Sequence, residues 1–235
     1  MSTSHRAAAL FAFAQLTGCA TAAESTLHLE PKVGASQSLI LSAAIKEPQD
    51  GAPRPPLTLE VHAGVVESRD GEVHVDLDAS PQQTLACAPS IRAQAAVARD
   101  GSLLRSAFSV PDEDDPRIAR SNDETVTAIT AFVDGLSLVG MSLAPEGVIA
   151  PGARWSGSAT VRVGGTMIAR KIAYQLVDID AVGARVRIRG MFDGPALDGR
   201  LVGLLRWAWA QPFPVAGTLT IVLRSRTVEL SWGDL

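Results

Sequence analysis

The sequence predicts an α+β fold, predominantly antiparallel β-sheet, with one main amphipathic helix near residues 122–140. Two patterns carry this prediction. Most of the chain consists of short segments in which apolar and polar residues alternate between turn residues, which is typical of antiparallel strands. One stretch near 122–140 instead spaces its apolar residues by three and four. Two arrangements stay open, a single curved sheet or two β-hairpin units.

Strands are predicted on both sides of a Pro- and Gly-rich loop at residues 47–56. The residues Ser-Arg-Asp-Gly at 68–71 join two strands into a hairpin, because Asp-Gly pairs favour tight hairpin turns. Asp100 and Gly101 mark the turn of a second hairpin. The predicted strand regions of this half are 26–45, 57–66, 72–78 and 93–110.

A helix is predicted after an acidic loop at residues 111–117. Ser121 or Asn122 can cap its first turn, and Asp123 and Glu124, which follow, interact favourably with the helix dipole. The modest hydropathy of the stretch does not indicate a membrane span. Its apolar face consists of Val126, Ile129, Phe132, Val133, Leu136 and Val139.

Strands return in the last third of the chain. Residues 199–210 are predicted as either a strand or a short helix, and the alternation of Leu205, Trp207 and Trp209 favours the strand. Residues 218–232 close the chain as one or two strands. The remaining predicted strands lie at 156–163, 166–179 and 181–190.

Two parts of the chain resemble each other in the order of their elements. Gly34 aligns with Gly152, and Val73 aligns with Val186. Internal duplication and the common physics of hairpins both account for the likeness. The predicted organisation is a signal peptide at 1–18, a tether at 19–26 and a β-rich domain at 27–235, in which a helix joins similar β-units at 27–110 and 147–235.

The N-terminus has the regions of a secretory signal. Residues 1–6 are polar and weakly basic, and the predominantly apolar region at 7–16 has only ten residues, too few to span a bilayer, which takes about 20 apolar residues. The run Leu16-Thr17-Gly18-Cys19 resembles the lipobox of bacterial lipoproteins. The resemblance implies that the Cys19 thiol receives diacylglycerol, that the chain is cut before Cys19, and that the membrane is a partner through this lipid.

Lipidation at Cys19 implies a place in the bacterial cell envelope, anchored to a membrane and facing the periplasm. Ala20, the next residue, differs from the Asp associated with inner-membrane retention, which favours the outer membrane. Two or more acyl chains anchor a protein stably, whereas a single chain is marginal.

The N-terminus is also compatible with two alternatives to lipidation. A plain signal peptide cut after Ala22 or Ala23 removes Cys19, and an ordinary cytosolic N-terminus leaves it unmodified. Cys87 is an unpaired thiol if Cys19 is lipidated, whereas a Cys19–Cys87 disulfide requires an unlipidated chain. Neither cysteine has the spacing of a zinc or redox motif.

Charge is distributed unevenly along the chain. Residues 111–146 hold eight acids and two bases, and residues 151–226 hold eleven bases and four acids. These two segments either attract each other within the fold or face an external partner. The net charge of −4 argues against a general nucleic-acid binder, so no nucleic-acid partner is expected.

An arginine stripe is the main candidate binding surface. Arg185, Arg187 and Arg189 share one face of a predicted strand because side chains alternate along a strand. Arg224 and Arg226 extend the stripe on another strand. The stripe suits phospholipid headgroups, lipopolysaccharide or acidic polysaccharide. The alternative is a solvent-exposed face that pairs with carboxylates of the protein itself.

A second stripe carries residue types that bind metals, but successive members lie about 7 Å apart along the strand. A shared ion would need a ligand from a neighbouring strand, such as His62. The favoured interpretation is a solvated face, and no metal or cofactor is predicted. The residues of this acidic stripe are Glu72, His74, Asp76 and Asp78.

No catalytic motif is found in the sequence. It contains no HExxH, and its nearest approach to GxSxG, at 135–139, lacks the second glycine and lies in the predicted helix. We expect a non-catalytic, lipid-anchored envelope protein that binds an apolar or lipid ligand. The alternative is an envelope scaffold or protein-interaction module without a small-molecule ligand. The order of elements also loosely resembles uncharacterised β-rich lipoproteins of environmental bacteria, which implies no activity.

Overall fold

A computed structural model describes residues 30–47, 55–82, 91–98, 103–109, 116–140, 150–163, 166–195 and 197–234. Within these ranges the chain forms eleven strands and one helix, α1 (Pro116–Val139). The strands are β1 (Ser36–Lys46), β2 (Leu57–Arg69), β3 (Glu72–Pro81), β4 (Ile91–Ala98), β5 (Leu103–Ser109), β6 (Arg154–Val163), β7 (Thr166–Ile179), β8 (Gly183–Asp193), β9 (Gly199–Ala208), β10 (Ala216–Leu223) and β11 (Thr227–Asp234).

All eleven strands belong to one sheet, in the order β5-β4-β3-β2-β1-β11-β10-β9-β8-β7-β6. Every neighbouring pair in this order is antiparallel. β1–β5 and β6–β10 each run as a meander, and β11 connects the two by pairing with both β1 and β10. The predicted fold class, α+β with predominant antiparallel sheet and one main helix, is confirmed.

The sheet curls so far that its two outermost strands approach each other. β5 and β6 stand at opposite ends of the strand order, yet some of their Cα atoms come within 8 Å. Within the described residues, no backbone hydrogen bond joins β5 to β6. We call the space between these two strands the seam.

α1 fills the space that the curved sheet surrounds. The Phe132 ring meets the Trp232 ring of β11 edge to face, with centroids 5.2 Å apart. The helix also contacts β2–β6 on the other side. A Cβ atom at Gly135 would lie 2.8 Å from the Leu219 side chain, so the glycine permits the helix to approach β10 closely. The apolar face predicted for the helix is therefore packed against the sheet from several directions.

The helix begins at Pro116, so the prediction that Ser121 or Asn122 caps its first turn is wrong. Proline is favoured at the first helical position because its ring fixes φ near the helical value and its missing N–H needs no partner there. Asn122 lies within the helix and is buried.

The turn pattern located the first hairpin correctly. β2 and β3 form it, and Asp70 and Gly71 in its turn have φ angles of 53° and 85°. Two positive φ angles are the requirement of a type I′ turn, which matches the twist of the paired strands. In the segment 199–210, where a strand and a short helix were both open, residues Gly199–Ala208 form the strand β9 and the last two residues lie in a turn. β1 begins only at Ser36, and residues 26–29 lie outside the described ranges.

β1–β3 and β6–β8 share their local geometry. Gly34 N–H donates to the Val65 carbonyl at 2.9 Å, and Gly152 N–H donates to the Leu176 carbonyl at 2.8 Å. Both glycines have positive φ, at 85° and 91°. A register shift follows Val65 in β2 and Leu176 in β7. The turn before the first strand and the bulge in the second are thus repeated in the two units.

The register corrects the alignment of the two units. Val65 pairs with Val75, and its counterpart Leu176 pairs with Val186. Val186 therefore corresponds to Val75 rather than to Val73. A shift of two residues keeps the same face of a strand inward, so the apolar pattern alone cannot detect it.

Arg170 of β7 binds the C-terminal end of α1. Its side chain is buried, and its Nη1 donates to the carbonyl oxygens of Ser137 at 3.0 Å and Leu138 at 2.6 Å. The last carbonyls of a helix lack intrahelical donors. A cation at this end also interacts favourably with the helix dipole.

Tyr174, four residues further along β7 on the same face, completes this contact. Its hydroxyl donates to the Val139 carbonyl at 2.7 Å and also lies against the Gly140 carbonyl. Its ring stacks on Trp155 of β6, with centroids 5.3 Å apart. We call Arg170 and Tyr174 the helix clamp.

Replacing Arg170 with Met should lower the free energy of unfolding by about 1–3 kcal/mol for each buried carbonyl that loses its donor. Chemical denaturation followed by circular dichroism measures the change. Lys171→Met is the matched control, because this neighbouring cation is exposed on the opposite face of β7 and should leave stability nearly unchanged. Equal effects of the two substitutions would contradict the role of the clamp.

Candidate functional site

The outer face of β6–β9 is strongly basic. Alternation along these strands turns eight exposed bases and two exposed acids away from α1. We call this surface the basic face. Its bases are Arg154, Arg162, Lys171, Arg185, Arg187, Arg189, Arg200 and Arg206, and its acids are Asp178 and Asp193.

Most cations of the basic face have no carboxylate partner within the described residues. Arg185 differs, because its guanidinium contacts the Asp178 carboxylate in β7. Arg187 and Arg189 continue the same row along β8 without such a contact. Within the described residues, positive charge on this face is thus left largely uncompensated.

Three carboxylates on the other half of the outer surface are paired with neighbouring cations. Arg92 lies 3.4 Å from the Asp78 carboxylate, and Arg105 lies 3.4 Å from that of Glu72. Lys46 of β1 pairs with Glu229 of β11 in the same way, at 2.6 Å. The contrast makes the basic face the surface most suited to an external anion.

Three cations surround an apolar depression in the basic face. Met191 of β8 has Lys171 of β7 and Arg200 of β9 as its direct neighbours across the strands. Arg189 precedes it by two residues on the same face. The three cations line one shallow depression of about 390 Å³ together with Val202. Met191 is 71% exposed and Val202 is 47% exposed. We call this group the cationic cluster.

The structure does not place all five predicted arginines in one stripe. Arg185, Arg187 and Arg189 lie together on β8. Arg224 and Arg226 lie in the turn between β10 and β11, where Arg224 is 2.8 Å from Asp198. This turn lines a cleft of about 830 Å³ at the end of the sheet, a cleft that also contains Glu47 and Asp193. The surroundings of the last two arginines are therefore mixed in charge.

The acidic stripe occupies the outer face of β3. His62 is opposite Asp78 in the register, but its ring bonds the Ser38 hydroxyl at 2.7 Å and lies 3.0 Å from Glu60. Within the described residues, no three His, Cys, Asp or Glu side chains are grouped so that they could hold a metal ion.

Sequence reasoning missed two features of the molecule. Lys171, Arg200 and Arg206 were not assigned to the arginine stripe, because their place beside it depends on the register of three strands. Arg170 was not singled out either, although a charged residue at an inward position of an alternating strand is a signal of a buried polar contact.

The predicted lipid attachment at Cys19 lies outside the described residues, as does Cys87. The signal peptide and tether boundaries also fall there and stay predictions. In the described part of the chain, no helix has the length and apolar character of a membrane span.

Comparison with known proteins gives little that bears on function. No family model matches the chain, and no curated protein matches it either. Among solved structures, the chain is similar to the crystal structure of the hypothetical lipoprotein YmcC from Escherichia coli. The TM-score is 0.30 at 7% sequence identity, over 87% of this chain and 90% of that one. A likeness of this size carries no argument.

Replacing Arg187 and Arg189 with Gln should change the free energy of unfolding by less than about 0.5 kcal/mol each, because exposed side chains without partners contribute little. Thermal and urea unfolding measure the change. The paired Arg185→Gln is the comparison on the same strand. A loss well above 1 kcal/mol at Arg187 or Arg189 would show that these arginines hold the fold together and are not available to a ligand.

Proposed function

We propose that this is a non-catalytic, lipid-anchored protein of the bacterial envelope that binds an anionic lipid surface through its basic face. The uncompensated charge of that face is the observation that carries the proposal. The lipobox-like sequence at Leu16–Cys19 supports the anchor and the location in the envelope. The outer membrane, with the domain facing the periplasm, is part of the same proposal.

The packing of α1 favours a ligand at the outer surface. Phe132 and Ile129 are buried inside the curved sheet, where an apolar ligand would otherwise lie. A lipid ligand within the sheet would have to displace the helix and break the contacts of the helix clamp. A lipid headgroup bound at the outer surface requires no such rearrangement.

The cationic cluster combines the two properties that a lipid surface needs. Lys171, Arg189 and Arg200 offer charge-assisted hydrogen bonds to phosphate oxygens. Met191 and Val202 offer apolar side chains that can enter between headgroups. Each Lys or Arg near an anionic membrane contributes about 1 kcal/mol to binding, and this contribution falls with salt.

Binding to vesicles tests the proposal. The full chain with Cys19→Ser, which cannot be acylated, should sediment with phosphatidylglycerol vesicles and not with phosphatidylcholine vesicles. Raising the salt concentration from 50 to 500 mM should release the protein, because the Debye length falls from about 14 Å to about 4 Å and the attraction to the vesicle is screened.

A charge-matched pair of variants locates the surface. The triple variant Lys171→Gln, Arg189→Gln and Arg200→Gln should lose most of this binding. Arg69→Gln, Arg92→Gln and Arg105→Gln remove the same charge from the other half of the sheet and should have little effect. Similar binding to neutral and anionic vesicles, or equal losses in both triples, would contradict the proposed surface.

The anchor has a separate test. Intact mass of the protein extracted from membranes should correspond to a chain that begins at Cys19 and carries acyl chains, and Cys19→Ser should abolish this form. A mature chain that begins at Ser25 without lipid would exclude the anchor. That result would leave the vesicle measurement as an independent test of the basic face.

A further inference from the structure

Because of their directions, β5 and β6 cannot pair antiparallel with each other across the seam. Ten antiparallel steps lead from β5 to β6 through the sheet. Because ten is even, β5 and β6 run in the same direction. One additional strand between them, opposite in direction to both, would continue the antiparallel pattern without interruption.

The seam lies next to the first unit at the position that β11 occupies next to the second unit. Because β6–β8 correspond to β1–β3, the next strands β9 and β10 correspond to β4 and β5. β11 follows β10 and pairs with β10 on one side and β1 on the other. Among the described elements, the one that follows β5 is α1, which lies inside the sheet. No described strand therefore pairs with the free edges of β5 and β6.

Residues of β6 beside the seam are less buried than the corresponding residues of β1 beside β11. Leu39 and Leu41 of β1 are almost completely buried. Their counterparts in β6, Gly157 and Ala159, are only half-buried, as is Trp155. The Trp155 indole Nε1 is enclosed without a hydrogen-bond partner. The inward side of β6 thus has apolar surface that an adjacent strand would cover.

The register also assigns a charge to the seam. Since Gly34 corresponds to Gly152, Arg162 is the counterpart of Ala44 in β1. Ala44 pairs with Glu229 of β11. A strand that paired with β6 in the seam as β11 pairs with β1 would put a carboxylate opposite Arg162. Arg162 is exposed and has no carboxylate partner within the described residues.

We propose that the seam binds one extended segment of a partner protein, antiparallel to both β5 and β6. The segment alternates apolar residues, which face α1, with polar residues, which face solvent, and one of the outward residues is an acid that pairs with Arg162. Backbone hydrogen bonds to two strand edges supply the affinity, as in other cases of strand addition. This interaction uses Arg162 of the basic face, but it does not involve the cationic cluster or the lipid anchor.

Insertion requires a small movement of β5. Two strand spacings amount to about 9.6 Å, whereas the nearest Cα atoms of β5 and β6 lie within 8 Å. Among the described strands, β5 pairs only with β4, and most of its described side chains are exposed. It can therefore move outward by about 2 Å more easily than a strand held on both edges.

A peptide with the sequence of β11, Thr-Val-Glu-Leu-Ser-Trp-Gly-Asp, is the probe. Added to the full chain with Cys19→Ser, it should bind and slow amide hydrogen exchange in both β5 and β6. The same peptide with Val228→Pro should not bind, because proline removes a backbone donor from the ladder. Failure of the first peptide to bind, or protection confined to other strands, would overturn the proposal.

A charge exchange tests the orientation. Arg162→Glu should weaken binding of the peptide about fivefold, because like charges opposite each other destabilise strand pairing. The Glu229→Lys peptide should restore it. Arg69→Glu, a charge reversal at an exposed side chain of β2, is the control and should leave binding unchanged. Unaltered binding to Arg162→Glu would refute the pairing.

Self-association is the competing outcome. If the protein alone forms dimers in sedimentation, with β5 and β6 already protected from exchange, the segment in the seam comes from a second copy. That result would overturn the assignment to a different partner protein. Loss of vesicle binding in the triple variant of the cationic cluster would not affect peptide binding at the seam, so the two proposals can fail separately.

Discussion

The arrangement of the molecule depends on the contact between the end of α1 and the inner face of β7. Arg170 and Tyr174 supply donors to the last carbonyls of the helix, in a place that water does not reach. A buried carbonyl without a donor would destabilise the fold. Because this contact supplies donors, the end of the helix can lie in the interior. With α1 held there, Phe132 and its neighbours fill the curved sheet, and the strands pack around a helix instead of a ligand.

This inner packing has consequences for the outer surface. Because inward positions of β6–β9 are used for the core, the alternate positions must face outward, and there they are rich in arginine. Arg170 is the one buried charged side chain of the described residues. Of the eleven bases at residues 151–226, Arg170 makes one internal contact that holds the helix, and eight lie on an outer face that we propose binds lipid. Arg224 and Arg226 lie in the turn between β10 and β11.

The sequence predicted the features that depend on local pattern. Period-two alternation identified most strands, the Asp70-Gly71 turn identified the first hairpin, and the spacing around Phe132 identified the helix. The predicted turn at Asp100-Gly101 lies outside the described residues. The strand partners depend on non-local pairing, so the neighbours of Arg189 across the sheet could not be predicted. The start of the helix was predicted wrongly because Ser121 and Asn122 are good capping residues, whereas the helix begins at Pro116. The contact of Arg170 could not be predicted because it depends on where α1, an element distant in sequence, ends. The likeness of the two units is visible in both the sequence and the structure, and duplication and the common physics of hairpins stay the two explanations for it.

The central claim is that the protein meets lipid with the outer face of β7–β9 while the interior stays occupied by α1. Depth-dependent fluorescence quenching tests it most directly, with a label at Met191→Cys or at Ala107→Cys in the full chain that also carries Cys19→Ser and Cys87→Ser. In phosphatidylglycerol vesicles with quencher-labelled lipids, the account predicts strong quenching at position 191 and little at position 107, which lies on the outer face of β5. Equal quenching at both positions, or stronger quenching at 107, would contradict it.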